Sequence, residues 1–181
     1  MLFEKVLFLN DNLKLDGRGI CRNAVRAVII EHGNILLVYS EKNDEYKFPG
    51  GGINENETPE EALKREVKEE VGVNINKINR KIGTVIEYSE AKEKDVDYFK
   101  MISDYFLVEI ENKFYEQNLD QYEKELRFIP KWISITNAER ANLENIKEES
   151  AKISKWIKRE TYVLNRLKEI DVEDNRYEEI V

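Results

Sequence analysis

Residues Gly51 to Val73 read GGINENETPEEALKREVKEEVGV, and the spacing of their glutamates decides how the whole chain is read. Glu69 and Glu70 follow Glu66 by three and four residues. On a helix turning about 100° per residue, the three side chains share an arc of roughly 100°. Glu57 lies ahead of them, in the loop that follows three consecutive glycines, Gly50 to Gly52. Oxygen ligands concentrated in this way suit Mg²⁺ or Mn²⁺, hard cations that prefer carboxylates and water.

The helix announces both of its ends. Thr58 offers an N-cap oxygen, Pro59 suits the first helical position, and Glu61 completes a capping box with Thr58. Gly72 supplies the left-handed stop. Leu63, Val67 and Val71 recur every four residues, so an apolar stripe anchors one side while the carboxylates look sideways. An acidic helical face is ordinarily a solvated face. Glu60 and Glu61 fit that description, serving the first-turn dipole and the cap. For Glu66, Glu69 and Glu70, like charges at contact spacing repel, and Arg65 alone is placed to neutralise them. A bound metal ion would resolve the repulsion.

Gly51, Glu57, Arg65-Glu66-Val67, Glu69-Glu70 and Gly72-Val73 stand at spacings that resemble the Nudix box at every defined position. The preceding Phe48-Pro49-Gly50-Gly51-Gly52 is similar to the usual lead-in to that box. Nine specified positions are far more specific than a lone glycine-rich loop. The resemblance implies an α/β/α sandwich with a mixed sheet. It also implies hydrolysis of a nucleoside diphosphate linked to another moiety, such as a nucleoside triphosphate, nucleotide sugar or dinucleotide. Water would attack phosphorus. Carried over, Glu66, Glu69 and Glu70 are metal carboxylates, the Gly50 carbonyl is a further ligand, and Glu66, Glu69 and Arg65 carry the catalytic work. Gly51, Glu57 and Gly72 shape the box. Which carboxylate is the base stays open, as does a non-catalytic, nucleotide-sensing domain of the same family.

The remaining composition sets bounds. A chain of 181 residues reads as one domain that buries roughly 70% of its unfolded surface. The net charge of −8 disfavours stable nucleic-acid or membrane binding, and the resemblance implies a small nucleotide diphosphate derivative as the partner. A homodimer is left open. Cys21 is the only cysteine, so no intrachain disulfide is available and a cytoplasmic setting fits. Met1 to Leu9 makes a poor signal peptide, and no apolar run approaches the length of a membrane span, about 18 residues.

Outside the box, Phe3 to Leu9 reads as a strand, giving an N-terminal extension over residues 1–19 ahead of a catalytic domain at 20–170. Ala24 to Ile30 and Ile35 to Tyr39 read as a hairpin around Glu31-His32-Gly33-Asn34. Strands follow at Ile75 to Tyr88, Ile102 to Ile110 and Phe128 to Ile135, with polar insertions at Ser89 to Lys100 and Asn112 to Glu125. Ile153, Ile157, Glu160, Leu164 and Leu167 step along a C-terminal helix, and residues 171–181 form an acidic tail. The architecture is an α/β sandwich on this pattern too.

Individual residues divide in the same way. His32 reads as an exposed turn residue and Cys21 as a small buried or half-buried one. Arg22 and Arg26 share a strand face, and Arg26 is a candidate phosphate contact, with a structural salt bridge as the equal alternative. Tyr39, Tyr46 and Phe48 flank the glycine loop; Tyr46 is a candidate for stacking on a base, against core packing as the ordinary role. Trp132 and Trp156 read as core. Family members often draw another acidic group from a distant loop, and Glu87, Glu90, Glu93, Asp95 and Asp97 fall where that loop is expected. No proline occurs between Pro59 and Pro130, which weighs against some ADP-ribose-cleaving members, and no coenzyme A motif precedes the box.

Overall fold

The computed structural model describes residues 1–148 and 153–174. Its elements run β1 (Phe3–Phe8), β2 (Gly19–Val28), β3 (Ile30–Glu31), β4 (Asn34–Ser40), β5 (Glu45–Lys47), α1 (Pro59–Val71), β6 (Ile75–Ser89), β7 (Tyr98–Ile110), α2 (Gln121–Leu126), β8 (Phe128–Ile133), α3 (Ile135–Lys147) and α4 (Ile157–Asp174). The first sheet is mixed, in the order β1-β6-β7-β2. Its outer pairs are parallel and its central pair antiparallel. In the second sheet β4 is the hub, pairing antiparallel with β3, β5 and β8.

The run Ile35-Leu36-Leu37-Val38 explains the layering. Successive strand side chains point to opposite faces, so a strand with no polar alternation must be covered on both sides. Ile35 and Leu37 join Phe48, Tyr105, Ile135 and Leu164 in one core cluster, toward α3 and α4. Leu36 and Val38 join Val25, Ala27, Leu63 and Val67 in the other, beneath α1. Helices therefore cover both faces, and the α/β/α sandwich follows. No helix among the described residues is long and apolar enough to cross a membrane.

Three sequence expectations are corrected. The hairpin is confined to β3 and β4, closed by His32 (φ 49°) and Gly33 (φ 76°) between Glu31 and Asn34. Residues of β2 pair with β7 in the other sheet, with Arg26 opposite Tyr105. Their free backbone groups go to the glycine loop: Val25 and Ala27 donate to Gly51 and Pro49 at 3.0 and 2.8 Å, and Ile53 donates to Asn23 at 3.0 Å. Next, the strand after Phe128 stops at Ile133, because Ser134 caps α3 through the Asn137 amide. Finally, Cys21 is exposed.

Phe3 belongs to the core cluster toward α3 and α4, so the first strand is an integral edge of its sheet. Helix α4 continues to Asp174; the remainder of the acidic tail, 175–181, lies outside the described residues.

Candidate active site

Helix α1 has the ends its sequence announced. Thr58 and Glu61 form a reciprocal capping box, Pro59 opens the first turn, and Gly72 ends the helix at φ 76°. Ala62, Leu63, Val67 and Val71 are buried, and Glu70 is buried with them. That combination turns the carboxylates toward the glycine loop.

Arg65 organises the acidic face. Its Nε and Nη2 donate to the two oxygens of Glu57 at 2.7 and 2.9 Å, a bidentate pair. Its Nη1 reaches Glu66 at 2.7 Å and Glu69 at 3.2 Å, and Nη2 also donates to the Gly52 carbonyl at 3.1 Å. The Arg65 hydrogen bonds, helped by the Asn54 amide, hold the Glu57 carboxyl down to about 2. Glu66 goes the other way, since burial raises its carboxyl above the usual range despite Arg65. Glu69 is the most open of these carboxylates, its side chain 34% exposed.

Gly50 and Gly51 exist as glycines for local reasons. Gly50 has φ 137°, and a Cβ there would collide with the Val25 carbonyl. At Gly51 a Cβ would lie 2.5 Å from the Glu66 carboxylate. The Gly50 amide donates to Glu70 Oε2 at 2.8 Å. Its carbonyl accepts from Arg26 and, at 3.4 Å, from Lys47, while the Lys47 ammonium also pairs with Glu70 Oε1.

Arg26 links this face to a cleft of about 370 Å³ on the far side of β2. Arg22 and Arg26 both line it, as their strand spacing foretold, with Glu87, Phe99, Trp156 and Arg159. The Arg22 guanidinium lies against Gly52, where a Cβ would overlap it. Two side chains differ from expectation here. Trp156 packs against the core beneath α1 as expected, but it lies in the turn before α4 rather than on the helix and is half-buried, lining the cleft as well. Tyr46 is 4% exposed within the core, its ring 4.8 Å from Tyr39 and its backbone bracketed by Asn142, so it does not line the cleft.

The acidic residues of the 87–97 stretch separate. Glu87 is buried against Arg159, Glu90 and Glu93 line the cleft, and Asp97 caps the Arg18 amide at 2.8 Å. The carboxylate that enters the field of Glu70 and Lys47 is instead Glu123 of α2, which burial pushes up to about 7. The Asp120–Glu123 capping box was readable in the sequence, but its proximity to α1 depends on where β8 docks.

As donors, the Gly50 carbonyl, Glu66, Glu69 and Glu70 suit a hard divalent ion in kind. In arrangement each is engaged by a protein cation, and among the described residues no three His, Cys, Asp or Glu side chains converge as a ready metal cage.

The NUDIX domain family model matches residues 22–157. An RNA pyrophosphohydrolase of Pseudomonas paraeruginosa is 42% identical over 59 residues, 33% of this chain and 37% of that protein. One from Marinomonas sp. is 39% identical over 64 residues, 35% of this chain and 40% of that protein. The chain thus spans about two fifths of the length of these relatives. The crystal structure of a MutT protein from Bacillus halodurans shares the fold at TM-score 0.50 and 18% identity, covering 66% of this chain and 72% of its own. The family match takes in Arg22 and Arg26, the glycine loop and the whole of α1, and on that extent the chain belongs to the NUDIX domain family.

Proposed function

We propose that the protein hydrolyses the pyrophosphate linkage of a nucleoside diphosphate derivative, using Mg²⁺ or Mn²⁺ held by Glu66, Glu69, Glu70 and the Gly50 carbonyl. One observation carries this reading. At Gly50 the acidic face of α1 and the cationic cleft meet, since its amide holds Glu70 while its carbonyl takes Arg26. A pyrophosphate lying across that residue has cations on one side and carboxylates on the other. When bound, the divalent ion would neutralise phosphoryl charge and lower the pKa of a coordinated water.

The chain's own side chains divide the remaining work. Arg22 and Arg26 bind phosphate oxygens and orient the linkage. Trp156 and Phe99 offer apolar surface to the base or the leaving moiety. Arg65 keeps Glu57, Glu66 and Glu69 in fixed orientation, the role of outer-shell partners that set ligand geometry. Glu69, the most open carboxylate, is the group best able to take a proton from the attacking water. Glu123 brings a further carboxyl toward Glu70 from a second element, raised by burial to about 7.

The test is phosphate release, coupled to a phosphatase, over nucleoside triphosphates, nucleotide sugars, dinucleotides and an RNA bearing a 5′ pyrophosphate group. The RNA belongs in the panel because of what the matching relatives are named for. Turnover should require Mg²⁺ or Mn²⁺ and fall by at least about 100-fold in Glu69→Gln. Nucleotide binding without turnover anywhere in the panel would replace hydrolysis with sensing.

A further inference from the structure

Lys47 ends β5, three residues before Gly50, and its side chain is only 7% exposed. Its ammonium contacts Glu70 Oε1 and reaches the Gly50 carbonyl at 3.4 Å. The Glu70 side chain is 2% exposed, and its other oxygen is fixed by the Gly50 amide. One ammonium therefore bridges two of the four groups assigned above to a divalent ion. Beside it the Phe128 ring lies 5.1 Å away, and Glu123 interacts electrostatically with both members of the pair.

The burial makes this more than an incidental surface contact. A carboxylate this enclosed needs a compensating charge, and removing its partner leaves it buried and unpaired. A divalent ion on Glu70 and the Gly50 carbonyl would supply that charge, but it would then face an ammonium on the same two oxygens, with the Arg26 guanidinium sharing the carbonyl alone. Like charges at such separation exclude each other. Lysine can yield where arginine would not, because it is a point charge on a flexible four-carbon stem with no fixed fork to satisfy. The Phe128 ring offers it a second position without full exposure to water.

Resting on the metal-dependent reading above, we infer that Lys47 is an internal counter-cation of the metal centre: its ammonium holds Glu70 beside the Gly50 carbonyl and must leave those oxygens when a divalent ion takes them. Lys47 thus keeps the metal-free site folded and weakens its hold on the metal. Arg65 also touches two of the assigned ligands, Glu66 and Glu69, but its bidentate pair with Glu57 anchors it there, so it is not the cation that leaves the Glu70 and Gly50 oxygens.

Binding of Mn²⁺ to the full chain, followed by electron paramagnetic resonance and titration calorimetry, tests this in the wild type and in Lys47→Met. The variant should bind Mn²⁺ about tenfold more tightly, equivalent to about 1.4 kcal/mol. Its metal-free Tm should fall, and Mn²⁺ should raise that Tm by more than it does in the wild type. Unchanged or weaker Mn²⁺ binding by folded Lys47→Met overturns the inference. A measurement on the wild type guards against a variant that does not fold: acylation of individual lysine amines, read by mass spectrometry with and without saturating Mg²⁺. Lys47 should become more reactive with Mg²⁺, while Lys77, already 65% exposed, should not change. Lys47 reactivity that Mg²⁺ leaves unchanged also overturns the inference. Absence of Mn²⁺ binding by the wild type removes the metal centre and this role together, whereas wild-type binding that Lys47→Met leaves unaltered removes only the role.

Discussion

Arg65 serves five acceptor oxygens at once: both of Glu57, one each of Glu66 and Glu69, and the Gly52 carbonyl. Only a planar fork with several fixed donors can do this, so lysine is no conservative replacement. In Arg65→Lys the charge is kept and the geometry lost. Turnover should drop about 10–100-fold, the usual cost of disturbing groups that orient metal ligands. The loss should appear in kcat more than in KM, since Arg65 does not line the cleft. A steady-state comparison on whichever substrate the panel identifies decides this; a rise in KM alone would make Arg65 a substrate contact. The Glu69 contact follows from four-residue spacing on a helix, whereas Glu57 and Gly52 lie off the helix and reach Arg65 only through the fold of the loop. The Lys47–Glu70 pair could not be read from spacing, since nothing in the sequence sets how deeply the end of β5 is buried.

At the scale of elements, α4 shows how a helix can carry polar structure inside an apolar pattern. Glu160 falls in the stripe with Ile157, Leu164 and Leu167, and it is fully buried. Its Oε2 accepts from the Phe48 amide at 3.2 Å, and its Oε1 accepts from Arg159 at 2.9 and 2.6 Å. Arg159 in turn pairs with Glu87, which burial pushes above the usual carboxylate range. The helix thereby fixes the chain just ahead of the glycine loop and floors the cleft. Arg159→Met strands two buried carboxylates and should destabilise the fold by about 3–5 kcal/mol, measured by urea unfolding. Combining it with Glu87→Gln should recover part of that loss, and strict additivity would deny the coupling. The stripe made α4 legible as a helix, but the network needed the packing of β5 and β6 against it. Helix α2 was similarly hidden inside a polar stretch, and with it Glu123. Burial holds the Glu123 carboxyl at about 7 against an ordinary 4.5. A folded value above the unfolded one gives stability that is complete below about pH 4.5 and is lost as pH rises through about 7. In chelator, Tm should therefore decline across that window, and Glu123→Gln should flatten the decline. An unchanged slope would mean that Glu123 is better solvated than its position implies.

Over the whole molecule, a net charge of −8 sets the problem that the cleft has to solve. A phosphorylated substrate approaching an acidic protein is repelled except where cations are concentrated, and Arg22, Arg26, Lys92, Lys155 and Arg159 line one cleft. Two of them also hold protein groups, Arg26 the Gly50 carbonyl through one nitrogen and Arg159 the two buried glutamates. Arg22 is exposed and lies over Gly52, where a phosphate crossing the loop would meet it. Its loss should weaken substrate binding without disturbing the carboxylates on α1. For Arg22→Ala this predicts a KM about tenfold higher, the scale of one charge-assisted hydrogen bond, with kcat nearly unchanged. Added salt should then separate attraction from contact. Salt screens exposed charges over roughly 8–10 Å, so wild-type kcat/KM should fall with ionic strength and the variant should fall less steeply. Parallel salt curves for the two proteins would mean that Arg22 holds the loop and leaves the drawing in of phosphate to its neighbours.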